Sequence, residues 1–265
     1  MFLRHNKTKL ILLALVLLPS SLHATTTAKQ TTILFAVNTP GSAPYLYYDV
    51  TTGKYQGVVV DFFNTIAQHK LTVSYLDSNR ARSEQLVHTS AVDAFLSSPN
   101  WLEHPDDFIY SVPLMRHDSY MYKTSEFSEP FDATKLNGSS VCTRYGFVYP
   151  VLQPFFDMHE NGLVRVNSSS HETMATMLTK GRCEFAIMSE QNARSIMFNE
   201  KFCSNTFYQS LNVINGVELV FVLRPELVDL QAVINEALTK FVNSGAREEA
   251  LKRHSGDASF PKGKC

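Results

Sequence analysis

The chain has 265 residues, 24 Lys+Arg against 25 Asp+Glu, 44% hydrophobic and 18% charged residues. That length allows one large or two modest domains, and a formal charge of −1 with no basic cluster excludes a polybasic nucleic-acid binder. With 11 Gly and 11 Pro beside 18 Phe and 11 Tyr, the chain is neither low-complexity nor disordered as a whole.

Residues 1–24 read as a leader. Arg4, Lys7 and Lys9 precede the unbroken apolar run 10–18, and Pro19-Ser20-Ser21 then leads to a small residue at Ala24. This is the three-part plan of a cleaved secretory signal peptide, and the run is about half of what a bilayer crossing needs. The expected location is the periplasm, with a soluble mature protein. Cys142, Cys183, Cys203 and Cys265 all follow the leader, so an oxidising compartment permits two disulfides among three possible pairings. Free buried thiols at strand positions are the alternative for Cys142 and Cys183. The sequence has no C-x-x-C and no H-E-x-x-H spacing, so neither a metal site nor a thioredoxin-type site is expected.

After a polar stretch at 25–31, residues 33–37 (ILFAV) predict a short strand buried on both faces. Asn38-Thr39-Pro40-Gly41 ends it in a turn. Phe62, Phe63, Ile66 and Ala67 at helical spacing predict a helix over 61–69, with Asp61 as N-cap. A strand at 71–76, a short helix at 83–88 and a strand at 94–96 follow, ending in Ser97-Ser98-Pro99-Asn100. Such alternation predicts a parallel, doubly wound sheet.

The pattern then repeats, with a strand at 141–143, a helical segment near 151–158, a strand at 163–166, a helix at 169–180 and a strand at 183–188. Ser169 and Glu172 fit a capping box for that second helix, and Gly181 fits its stop. These are two similar α/β units. A strand at 219–223 (LVFVL) and an amphipathic helix after Pro225 remain over. The helix carries the stripe Leu227, Leu230, Val233, Ile234, Ala237, Leu238, Phe241 and Val242, and must pack on one of the two lobes.

Read in order, these residues resemble the bacterial extracellular solute-binding proteins of family 3, with the type II periplasmic binding fold. Ala43-Pro44-Tyr45 followed by Gly57 and Asp61-Phe62 is similar to the family's opening. Val92-Asp93-Ala94 with Phe108-Ile109-Tyr110-Ser111-Val112-Pro113 is similar to its "D…fS.P" element. Leu136-x-Gly138, Val141, Tyr145-Gly146 and Gly181-Arg182-Cys183-Glu184-Phe185-Ala186 are similar to its central motifs, and 227–245 to its final helix. The resemblance implies two α/β lobes, each a doubly wound, mainly parallel sheet with flanking helices, joined by two hinge strands. Lobe 1 would be 31–122 plus 217–265 and lobe 2 would be 123–216. A ligand would bind between them at the carboxyl ends of strands, where open α/β sheets favour it.

Amino-acid binders of this family share an aromatic residue after the first strand, an arginine for the α-carboxylate and an aspartate for the α-ammonium. Tyr45 fits the first. The arginine's place falls near His104 and the aspartate's on Ser189, with Glu190 beside it. Both departures weigh against a free α-amino acid held in the family's way, because a carboxylate without its guanidinium is poorly compensated for desolvation. Arg80, Arg82 or Arg144 could substitute, with Arg144 first because it follows a strand end. Trp101, Phe147 and Tyr149 add aromatic groups, and Ser97, Ser98, Ser189 and Glu190 polar ones.

The expectation is a non-catalytic, monomeric binding protein. It would capture a small polar or amphipathic molecule with an apolar or ring part and present it to an ABC-type importer, as in amino acid transport, or to a membrane sensor. No cofactor, metal or nucleic acid is implied. One alternative is an enzyme on the same scaffold, dehydratase-like, with Glu190 as the acid. Another is an orphan sensor or accessory protein. No G-x-S-x-G, Cys/His dyad or phosphate loop is visible.

Overall fold

The computed structural model describes residues 1–2, 31–39, 41–67, 71–158 and 160–264. Apart from Met1 and Phe2, the leader expected over 1–24 lies outside them. The first unit begins with β1 (Thr31–Asn38), followed by a small antiparallel sheet of β2 (Gly41–Ser42), β3 (Leu46–Asp49) and β4 (Lys54–Gln56). Then come α1 (Val58–Ile66), β5 (Leu71–Ser78), α2 (Arg80–His88) and β6 (Ala94–Ser97). β1 pairs in parallel with β5 on one side and β6 on the other. Its apolar run serves two cores, because side chains alternate across a strand. Ile33, Phe35 and Val37 enter one, and Ala36 enters the other with Phe95 and Val222.

Two expected helix starts move. α1 is capped at Gly57, so Asp61 lies in the first turn, and its carboxylate accepts from Arg253 and His254 instead. α2 begins earlier than expected because the Asn79 side chain accepts from the Arg82 N–H. That places Arg80 at the helix's first residue.

After β7 (Ile109–Tyr110), β8 (Met115–Lys123) carries the chain into the second unit. This unit contains β9 (Ser140–Arg144), the single-turn α3 (Gln153–Phe156), β10 (Val164–Ser168) and α4 (His171–Thr179). It closes with β11 (Phe185–Ser189), α5 (Glu190–Met197) and β12 (Tyr208–Gln209). β9 pairs in parallel with β10 and β11, while β8 lies antiparallel to β11. Alternation again splits each strand, with Val141, Phe185 and Ile187 on one side and Cys142, Ala186 and Met188 on the other. The cap of α4 is Ser170, which accepts from the Thr173 N–H, and Glu172 pairs with Lys201 rather than closing a box. Cys142 and Cys183 form a disulfide. Cys203 is disulfide-bonded as well, and Cys265 lies outside the described residues.

β13 (Asn215–Leu223) returns to the first unit. It pairs antiparallel with β8 over residues 215–219 and with β6 over 220–223. β8 and β13 therefore join two α/β lobes, the two-lobed arrangement of periplasmic binding folds. α6 (Val228–Asn243) buries Ile234, Leu238 and Phe241, whereas Val233 of the expected stripe is 43% exposed. α7 (Ala246–Ser255), which the sequence pattern did not indicate, starts at Gly245 and packs on α1, α5 and α6. The tail beyond it reaches the second lobe. Lys262 is buried there, its Nζ donating to the carbonyls of Phe202 and Asn205, and Phe260 packs on Tyr122 and Phe198. Among the described residues no helix is long and apolar enough to cross a membrane.

Candidate ligand-binding cleft

The ends of β1, β6 and β11, the start of α4 and the crossing strands converge on a cavity of about 120 Å³ between the lobes. A cavity needs only about 10–15 Å³ to hold one water, so this one has the scale of a small organic molecule. Its lining is mostly apolar and aromatic, including Phe35, Leu46, Phe95, Trp101, Phe147 and Ile187.

Tyr45 is set in place by the turn that opens α1. Gly57 has φ 121°, a conformation L side chains avoid, and a Cβ there would run into the carbonyls of Pro44 and Tyr45. Those two carbonyls instead accept from the Val58 and Val59 N–H groups, both at 3.0 Å, which fixes the backbone carrying Tyr45. Its phenol lies 2.9 Å from Ser189 Oγ and 2.9 Å from His117 Nδ1. Burial pushes its pKa far up, so it stays protonated.

Ser189 caps α5, accepting from the Asn192 N–H and donating to Asn192 Oδ1. The Asn192 amide in turn donates to Ser42 Oγ at 2.9 Å and to the Ala43 carbonyl. The pattern is satisfied if His117 donates through Nδ1 to Tyr45 and Tyr45 donates to Ser189, a proton assignment that the network supplies. The chain runs from a crossing strand to the first lobe, into the second and back.

The charged side of the cleft is cationic. Among the described residues Arg80 is the one Lys, Arg, Asp or Glu in the lining. Its Nη2 donates to the Trp101 carbonyl at 2.9 Å, and its guanidinium carbon lies 5.0 Å from the Trp101 ring centroid and 5.5 Å from that of Phe147. Burial lowers its pKa to about 10, so it remains charged at neutral pH. Arg144 stands behind the lining, 4.9 Å from the Phe147 centroid, with Nη1 donating to the Gly41 carbonyl at 3.1 Å and toward His171 Nδ1 at 3.4 Å. Burial first, and Arg80 second, hold His117 down at about 4. Burial and then Arg144 likewise lower His171. Both histidines are neutral at pH 7.

Of the residues singled out from sequence, Tyr45, Ser97, Trp101, Phe147, Tyr149 and Ser189 line the cavity together, while Ser98, Arg144 and Glu190 do not. Ser98 is buried and its carbonyl accepts from the Trp101 N–H, closing the turn that presents the indole. Glu190 is bound to Arg194 at 2.6 Å. His104, at the place of the family's arginine, lies in an exposed turn whose N–H donates to Glu84. Sequence reading missed His117, Ser119, His171 and Asn192. Only the last had a signal, its place one turn after a capping serine. Among the described residues no three His, Cys, Asp or Glu side chains converge to hold a metal.

No family model and no curated protein matches the chain. Solved structures do share its architecture. A putative L-cystine ABC transporter from Listeria monocytogenes is 18% identical, with 89% of this chain and 100% of that one covered at a TM-score of 0.67. The GluR0 ligand-binding core in complex with L-glutamate is 14% identical, with 87% and 100% covered at 0.69. A histidine kinase sensor domain with similarity to periplasmic binding proteins is 17% identical, with 84% and 96% covered at 0.69. At these identities the likeness is one of fold, and it defines the chain as a two-lobed α/β structure of the periplasmic-binding-protein type.

Proposed function

We propose that this is a solute-binding protein of family 3, exported through the leader at 1–24. Its lobes would be 31–122 with 217 onward and 123–216, the tail past Gly256 crossing over. The observation that carries this reading is the cavity closed from both sides by the Tyr45–Ser189–Asn192 chain. A molecule held there touches both lobes at once, so its binding favours the closed arrangement over any in which the lobes part. Tyr45, Ser97, Trp101, Phe147, Tyr149 and Ser189 are the proposed ligand contacts, with Ser98, Arg144 and Glu190 buttressing them. The partner is an ABC permease or a membrane sensor, a reading supported by the names of two structural neighbours, an ABC transporter protein and a histidine kinase sensor domain, and the protein works as a monomer.

Binding is favoured over catalysis because Glu190, the acid that the dehydratase reading requires, is engaged by Arg194 and absent from the lining. The test is a thermal-shift screen of the purified protein against amino acids, polyamines, sugars and organic acids. A ligand that binds only the folded state raises the melting temperature with concentration, by about 2.7 kcal/mol of added stability at a hundredfold excess over Kd. The shift is expected to shrink at least tenfold in potency in Trp101→Ala. A panel without any shift defeats the proposal.

A further inference from the structure

The cavity is lopsided in charge. Arg80 lines it, and among the described residues no Asp or Glu does. A guanidinium carries five N–H donors, and Arg80 spends one on the Trp101 carbonyl. No carboxylate lies within ion-pair distance of it or of Arg144 among the described residues.

The nearby acids are already occupied. Glu84 accepts from the backbone N–H groups of Glu103 and His104, Asp118 accepts from Arg116, and Glu190 is paired with Arg194. A cation drawn out of water with no counter-charge beside it, Glu84 acting only from beyond ion-pair distance, is costly, and the cost falls when an anion arrives next to it. The fork of the guanidinium matches a planar carboxylate in two parallel hydrogen bonds. Phe147 and Trp101 cover the guanidinium, which keeps such a contact away from solvent.

We propose, resting on the solute-binding reading above, that the cleft takes a monocarboxylate with an apolar or aromatic body and no ammonium group, its carboxylate meeting Arg80. One negative charge matches one lining cation, because the Arg144 guanidinium is withdrawn behind Phe147 and engaged by Gly41 and His171. An ammonium group would enter a cavity that already holds a positive charge and offers no acid to receive it. The body of the ligand lies against Phe35, Leu46 and Ile187, and the neutral Ser97, Ser119 and Asn215 add hydrogen-bonding capacity without charge.

The test is a calorimetric titration of the purified protein with phenylacetate, benzoate and 3-phenylpropanoate. The matched probes are phenylacetamide, 2-phenylethylamine and phenylalanine, which share the ring and differ in the head. At least one carboxylate is expected to bind, with its matched amide, amine or amino acid at least tenfold weaker. Arg80→Met is expected to weaken the carboxylate tenfold or more. Arg80→Lys keeps the charge without the fork, should lose a smaller factor, and serves if Arg80→Met does not fold. Equal or tighter binding of phenylalanine or 2-phenylethylamine overturns the proposal and leaves the solute-binding reading standing. So does carboxylate binding that is unchanged in a folded Arg80 variant, or failure of all three carboxylates when another class of the wider screen binds. Silence across both panels overturns the proposal and the solute-binding reading together.

Discussion

The two lobes share an architecture and fill it with different chemistry. In the first, the rings of Phe35, Phe62, Phe63 and Phe221 interlock, with Phe221 at 5.7, 5.4 and 5.2 Å from the other three in turn. In the second, Met174, Met188 and Met197 pack with Ala175, Ala186 and Ala193 and the rings of Tyr122, Phe202 and Phe207 around the Cys142–Cys183 bridge on one side of the sheet, and Phe127, Phe131 and Phe185 gather on the other. Aromatic rings bury large areas in preferred mutual orientations, whereas thioethers are adaptable fillers that specify geometry weakly. The first lobe's core is defined by interlocked rings alone; the second adds a covalent staple on the face of its sheet where thioethers interleave with rings.

The largest effect that could break this contrast is Phe221→Ala. A fully buried ring removed from such a cluster costs about 3–5 kcal/mol, and chemical denaturation should show a loss of that size. A loss near 1 kcal/mol would mean that the rings do not carry the first lobe. Next comes Cys142→Ala with Cys183→Ala, which removes this bridge and leaves the one at Cys203. The bridge spans a sequence separation of 41, for which chain entropy gives about 4 kcal/mol as an upper value. Trp101, the only tryptophan, sits on the first-lobe side of the cleft. Circular dichroism of the double variant is therefore expected to begin melting before Trp101 fluorescence changes. Coincident transitions would show the staple serving both lobes equally.

The smallest effect concerns the boundary between the lobes. Free histidine titrates near 6.5, while His117 is held down at about 4 by burial and Arg80, and His171 is lowered by burial and Arg144. Below pH 6.5 the unfolded chain therefore binds more protons than the folded one. Stability is full above that value and falls as the pH drops from 6.5 towards 4. Melting temperatures across this range should decline, and His117→Gln should flatten part of the decline. An unchanged profile in the variant would place the titrating group elsewhere.

Much of this frame is legible in the sequence because buried parallel strands must be apolar on both faces. The runs at β1, β6 and β11 announce themselves for that reason, and so does the stripe of α6. β8 does not. Its residues 115–119 pair with β13 between two sheets, and His117 and Ser119 face the cleft rather than a core, so Met115, His117 and Ser119 follow no single pattern. The aromatic lining was readable from Tyr45, Trp101, Phe147 and Tyr149. Arg80 stood only among several substitutes, because its reach into the cleft depends on Asn79 starting α2 early. Lys262 reads as a solvated tail residue, and only tertiary structure supplies the carbonyls that receive it.

The course of β13 has a consequence for the order in which the molecule can be assembled. Apart from the start of β13 alongside β8, the second sheet is drawn from one continuous stretch, β8 to β12, whereas β6 of the first sheet lacks its neighbour until β13 lies beside it. Pairing between segments so distant along the chain closes a long loop and is correspondingly slow. In a chain made or threaded from its amino terminus, the first lobe is begun first and completed last, and the second lobe can form while the first still has an unpaired strand edge waiting for residues that have yet to arrive.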